Sequence, residues 1–155
     1  MSLKETQNWL SKLGKDYSLR ELNNLTDLVL FNKQITDLTP LKELKSIAYL
    51  NLGNNQIKDL SPLKRLNNII LLSLYDNQIK NISSLKELKY IERLHLDGNI
   101  ITDARPLKDL EYLFEAWIAE NGVIVLDGED TEYLDHLRIE YKVIPNNSIN
   151  RKLYR

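Results

Sequence analysis

Apolar residues recur along this chain at a fixed interval of twenty-two residues. Leu44, Leu66, Leu88 and Leu110 keep that interval, as do Ile47, Ile69, Ile91 and Leu113. Leu50, Leu72, Leu94 and Ala116 make a third column, and Leu52, Leu74, Leu96 and Ile118 a fourth. A polar column follows at Asn55, Asn77, Asn99 and Asn121. One period earlier Leu22, Leu25, Leu28 and Leu30 hold the register, and Lys33 stands where asparagine would. A register kept in so many columns means a stack of similar coils, each burying its apolar face against the next.

Each coil divides into three parts. The portion around Leu50 and Leu52 alternates apolar and variable residues, which predicts a short strand with one face inward. A turn at Asn55-Gln56-Ile57 follows, where the asparagine amide can both donate to and accept from turn backbone that would otherwise be buried unpaired. The return limb carries Leu60, Leu63 and Leu66 at threes, a 3₁₀ spacing, with Pro62 at its start. Pro40 and Pro106 repeat the proline, and Ser84 replaces it in the third full coil. The leucines and isoleucines of these columns are expected in the core.

The two ends depart from the period. Residues 1–14 read as a capping helix: Ser2 and Glu5 have capping-box spacing, Leu3, Trp9, Leu10 and Leu13 make an apolar stripe, and Gly14 is the stop. Leu19 and Leu22 then fall in the columns of Leu41 and Leu44. At the far end Leu126 still matches Leu38, Leu60 and Ile82, but the next core columns fall on Glu129 and Glu132. Tyr133, Leu134, Leu137, Ile139 and Tyr141 then predict a second cap helix over 130–142. The last stretch is polar and basic, and either frays or docks back through Ile149, Leu153 and Tyr154.

The segments IAYLNLGNNQI, IILLSLYDNQI and IERLHLDGNII resemble the leucine-rich repeat, L-x-x-L-x-L-x-x-N-x-I. The class is the twenty-two-residue one of bacterial internalins and the leucine-rich regulatory subunit of protein phosphatase 1. The resemblance implies an α/β fold, a short right-handed solenoid with parallel strands on its concave face. Its convex face would carry 3₁₀ or irregular limbs, and helical caps would close both ends. The expected organisation is one domain over 1–155, with a cap over 1–18, repeats over 19–126, and a C-terminal cap and tail over 127–155.

In that fold the variable positions of the motif line the inner face of an arc. The residue before the third apolar column is Asp27, Tyr49, Leu71, Arg93 and Glu115. The residue between the paired columns is Val29, Asn51, Ser73, His95 and Trp117. Next come Phe31, Gly53, Tyr75, Asp97 and Ala119, then Asn32, Asn54, Asp76, Gly98 and Glu120. Val29, Phe31, Tyr49, Leu71, Tyr75 and Trp117 are apolar at positions expected to be exposed, which marks a contact surface. Trp117 either joins that surface or packs under the C-terminal cap, and Phe31 either joins it or touches the N-terminal helix.

Charge sharpens the picture. The formal net charge of the chain is -1, so nothing pulls it generally towards nucleic acid or anionic membrane. The inner face, however, carries Asp27, Asp76, Asp97, Glu115 and Glu120 against Arg93 alone. Lys42, Lys45, Lys64, Lys86, Lys89 and Lys108 fall on the return limbs, where solvation is sufficient reason for them. Such segregation steers a basic or mixed basic and apolar protein surface to the inner face and repels phosphates.

Chemistry is sparse. There is no cysteine, which excludes disulfides and thiolate metal sites, and no phosphate loop or nucleophile elbow. His136 lacks an acidic partner at metal spacing, and the acidic run at 127–132 lacks the ligand order of a calcium loop. His95 has Asp76, Arg93 and Asp97 across the strands, but an open arc excludes little water, so a pH-sensitive contact is the better reading than catalysis. No cofactor or metal is expected. No apolar run reaches the length of a membrane span, and the start lacks the blocks of a signal peptide, although processing could have removed one. The expected setting is cytoplasmic, with a secreted bacterial protein as the alternative.

These observations point to a monomeric, non-enzymatic module that binds a protein partner on its concave face, to recruit or to inhibit it. Two rivals remain: a structural spacer with no concave ligand, and an enzyme using His95 with the neighbouring acids.

Overall fold

The computed structural model describes residues 1–121 and the backbone of residues 138–140. Six three-residue strands form one parallel sheet in chain order: β1 (Asp27–Val29), β2 (Tyr49–Asn51), β3 (Leu71–Ser73), β4 (Arg93–His95), β5 (Glu115–Trp117) and β6 (Arg138–Glu140). From β1 to β5 the pairing follows the sequence period, with Leu28, Leu50, Leu72, Leu94 and Ala116 side by side. The strands are short because each coil turns as soon as its two inward residues are buried. Leu50 and Leu52, Leu72 and Leu74, and Leu94 and Leu96 are all at most 1% exposed. Parallel pairing follows from the topology, since every coil returns on the other side before starting its next strand.

The return limbs are 3₁₀ turns, at Thr39–Glu43, Ser61–Arg65, Ser83–Glu87 and Arg105–Asp109. Leu60, Leu63 and Leu66 point inward from one limb and are buried, as the spacing by threes predicts. Proline opens three of the four limbs, yet the limb with Ser84 forms the same turn. A second column explains why. Asp37, Asp59, Asn81 and Asp103 each accept a hydrogen bond from the backbone N–H two residues on, at 2.8 to 3.0 Å. This local side-chain bond starts the turn whether or not proline follows.

The asparagine column ties one coil to its predecessor. Asn55 Oδ1 accepts from the backbone N–H of Lys33 and Ile35, both at 3.0 Å. Its Nδ2 donates to the carbonyls of Leu30, Leu52 and Gly53 at 2.9, 2.8 and 3.1 Å. Asn77 and Asn99 repeat this arrangement one and two coils later. The amide reaches back across the stack, so the first coil, with no predecessor, needs no asparagine and carries an exposed Lys33 instead.

At the N-terminal end, α1 (Leu3–Lys12) is capped by Ser2 and Glu5 in a reciprocal capping box. It ends in a Schellman arrangement, with Gly14 N–H on Ser11 O, Lys15 N–H on Leu10 O, and Gly14 at φ 75°. Leu10 is fully buried, and Leu3, Trp9 and Leu13 pack partly buried against the same core. The buried Thr6 hydroxyl donates to Pro40 O at 2.6 Å, locking the helix to the first return limb. Leu19 departs from expectation. It opens a short helix, α2 (Leu19–Asn23), rather than a 3₁₀ limb, and is 40% exposed while Leu22 is buried.

The C-terminal end also departs. Residues 138–140, expected within a cap helix, form β6 and extend the sheet, pairing Ile139 with Ala116. Leu137, Ile139 and Tyr141 alternate, a period of two that was available beside the helical spacing. The remaining positions of the expected helix, together with Leu126, the acidic run at 127–132, His136 and the tail with Ile149, Leu153 and Tyr154, lie outside the described residues.

The asparagine column generates a prediction. Replacing Asn77 by alanine strands the N–H of Ile57 and removes one of two donors from each of the carbonyls of Leu52, Leu74 and Tyr75, which keep Asn55 Nδ2, Asn99 Nδ2 and the Asn54 N–H. The orphaned N–H costs ~1–3 kcal/mol, and the three lost hydrogen bonds to carbonyls add a smaller amount because each carbonyl keeps its second partner. Urea denaturation of Asn77→Ala is expected to show a loss of about 3 kcal/mol, against less than about 0.5 kcal/mol for Lys33→Ala.

Candidate functional site

The concave face is set by the strands' outward residues. Asp27, Val29, Phe31, Tyr49, Asp76, Arg93 and Glu120 are exposed there; Asn51, Leu71, Tyr75, His95, Asp97, Glu115 and Trp117 are half-buried. Ser73 was expected to be exposed and is not: it is 3% exposed, and its hydroxyl has no hydrogen-bond partner among the described residues. Its neighbours across the strands are Asn51 and His95. As the shortest side chain between larger ones, it forms the floor of the face rather than part of its surface.

Two rings meet across a glycine. Phe31 and Tyr75 lie two strands apart, and Gly53 occupies the position between them. Their centroids are 6.0 Å apart with an interplanar angle of 30°. An added Cβ at Gly53 would lie 2.6 Å from Tyr75 Cζ, so the ring covers the glycine backbone. The missing side chain is what lets Tyr75 lean towards β1. Phe31 thus pairs with an aromatic of the third coil.

Further along, His95 meets Trp117 edge-on, with centroids 4.2 Å apart. Burial pushes the His95 imidazole below its ordinary pKa, against the pull of Asp97 and Glu115 and together with repulsion from Arg93. Burial raises the Asp97 carboxyl, against a hydrogen bond of 2.9 Å from Ala119 N–H to its Oδ1. Arg93 Nε stands 3.4 Å from Glu115 and its guanidinium lies over the Phe114 ring at 5.3 Å. Arg93 therefore offsets Glu115, leaving Asp27, Asp76, Asp97 and Glu120 as the acids that surround the aromatic residues.

The last variable column has a backbone role as well. Asn32, Asn54, Asp76, Gly98 and Glu120 all have positive φ, between 51° and 62°. The chain leaves each of β1 to β5 through this left-handed residue, which favours glycine and short polar side chains. Asp76 leans over Gly98, where an added Cβ would collide with its carboxylate. Glu120 is the member of the column that fits this conformation least well.

The sequence reading missed a second group of aromatics. Tyr90, Tyr112 and Phe114 are 55%, 52% and 46% exposed, and lie beside the strands rather than on the concave face. Phe114 precedes β5 directly, and Tyr90 and Tyr112 each lie three residues before a strand. The period itself held the signal, because the column of Ser46 and Asn68 turns aromatic at Tyr90 and Tyr112.

A family model described as leucine-rich repeats, in two copies, matches residues 23–65. Internalin C2 of Listeria monocytogenes has a similar structure, with TM-score 0.68 and 32% identity over 79% of this chain and 57% of that one. This is a leucine-rich-repeat protein. Its repeats also resemble those of internalin F of the same organism, with TM-score 0.68 and 23% identity over 90% of this chain and 51% of that one. A leucine-rich-repeat protein of Leptospira interrogans shares the fold, with TM-score 0.61 and 22% identity over 86% of this chain and 39% of that one. The chain spans about half the length of the internalins it matches. No curated protein matches it in sequence.

Two measurements test this site. A histidine whose folded pKa is depressed favours its neutral form, so its contribution to stability is intact above the unfolded value and is lost as pH falls through the folded one. The His95 imidazole resonances are expected to titrate below about 6.5, the unperturbed value; a midpoint at or above it would contradict the burial seen here. Gly53→Ala is expected to push Tyr75 off Phe31, removing their inter-ring nuclear Overhauser contacts and costing ~1–3 kcal/mol by overpacking.

Proposed function

We propose that this leucine-rich-repeat protein is a non-enzymatic binding module that takes a protein partner on its concave face. The observation that carries the reading is the aromatic bridge of Phe31 and Tyr75 over Gly53, flanked by the exposed Tyr49 and bounded by Asp76, Asp97 and Glu120. Rings held against one another before binding lose little freedom on contact, which suits them to anchor a partner. The exposed acids around them favour basic groups at the partner's rim and raise the association rate.

Leucine-rich repeats serve generally as protein-interaction modules, and the similar proteins here include two internalins. Recruitment of the partner and occlusion of its active site both follow from such a surface. The arrangement offers little to an enzyme: His95 is packed edge-on against Trp117, and its lowered basicity weakens it as a proton acceptor. Two hollows in the surface, one beside Gln7 and Tyr17 and one beside Lys80 and Asp103, lie away from it.

Affinity capture from a native lysate, run in parallel with wild type and the Tyr49→Ala, Tyr75→Ala double variant, tests the reading. A partner held by wild type and weakened by more than about 1 kcal/mol per anchor in the folded variant is the expected result. A partner held equally by both proteins would move the site away from the concave face.

A further inference from the structure

Tyr90, Tyr112 and Phe114 play no part in the concave face, yet all three are about half exposed and held in place. The two tyrosine rings lie 5.9 Å apart at 36°, one from each of two successive coils. Arg93 lies over Phe114 and reaches Glu115 as well. Fixed, neighbouring rings on a flank that needs no aromatic for folding mark a contact surface. Ser46 and Asn68 fill the same column in the preceding coils, where they bond the backbone of Asn23 and Lys45.

The charges around this patch identify what covers it. Lys89 precedes Tyr90 and Glu111 precedes Tyr112, so a cation and an anion stand in one column of adjacent coils. Both are exposed, and neither forms an ion pair among the described residues. Arg93 and Glu115, by contrast, belong to the concave face and pair with each other within the chain. A patch with a single sign suits a partner of the opposite sign. One that reverses sign from coil to coil is complementary to itself.

We propose that this flank is a two-fold interface with a second copy of the chain. An axis lying between the two coils and running along them sets Tyr90 against the partner's Tyr112, and Lys89 against the partner's Glu111. Both charges of that pair meet their opposites across the axis. Such a contact is isologous and closes at two copies. The solenoids run antiparallel, and both concave faces stay open. A dimer of this kind stands in place of the monomer expected from the sequence.

The interface is small. Six rings, each covering on the order of 100 Å², bury about 600 Å² in all, below the size of stable interfaces and in the range of a weak, transient one, so a dissociation constant on the order of 100 μM is expected. Sedimentation velocity of the full chain from about 5 to 500 μM is the test, with circular dichroism as the folding control. Wild type is expected to pass from monomer to dimer across that range, and Tyr112→Glu to stay monomeric. Lys89→Glu and Glu111→Lys are each expected to weaken the dimer at least about fivefold, whereas the Lys89→Glu, Glu111→Lys double variant restores it, because the exchange preserves the pairing across the axis.

Monomer throughout the range would overturn the proposal. So would a dimer indifferent to Tyr112→Glu, or a double charge variant no better than the single ones. A dimer lost in the folded Tyr49→Ala, Tyr75→Ala variant would place self-association on the concave face instead, and would likewise refute it.

Discussion

Everything in this molecule depends on satisfying the backbone of the turn that follows each strand. A coil of twenty-two residues has to bury that turn against its neighbours, and every buried N–H and C=O must find a partner. The asparagine amide does this with one side chain, donating to carbonyls of its own coil and of the coil before, and accepting from that earlier coil's N–H groups. No aliphatic residue could stand there without stranding those groups. Once the amides are in place, the leucine columns stack and the strands fall into register.

The same constraint accounts for the concave face. Because each coil repeats its predecessor's path, outward residues of one column stand side by side across the sheet, roughly 4.8 Å apart. Side chains can then bridge coils: Phe31 reaches Tyr75 across Gly53, and His95 reaches Trp117. A regular backbone thus supports an irregular surface. Tyr90 and Tyr112 use the same spacing on the flank.

The left-handed residue after each strand shows how scaffold and surface compete for the same positions. Asp76 and Glu120 add acid to the concave rim, yet both hold a positive φ that the turn imposes. Aspartate accommodates that geometry with a short polar side chain, whereas glutamate gains less from it. A residue in this column is chosen by backbone conformation first and by charge second. The columns that include Tyr49 and Trp117 carry no such demand, so their chemistry is free to vary.

Much of this architecture was legible because the period repeats. Four or five copies of one pattern identify the strands, the 3₁₀ limbs, the asparagine turn and the core columns, and capping-box spacing identifies α1. Reading failed where the repeat ends or a single residue decides. Leu137, Ile139 and Tyr141 carried helical and alternating spacing together, and only pairing with β5 selected the strand. Leu19 kept its column but opens a short helix that leaves it in water. The sequence by itself determined which residues share a face, because periodicity depends on local backbone geometry alone. Only the tertiary structure decided that Ser73 is floor rather than surface, that Phe31 turns to Tyr75, and that His95 is shielded by Trp117. Those outcomes depend on the relative sizes of side chains that lie about twenty-two or forty-four residues apart in sequence and touch only when the coils are stacked.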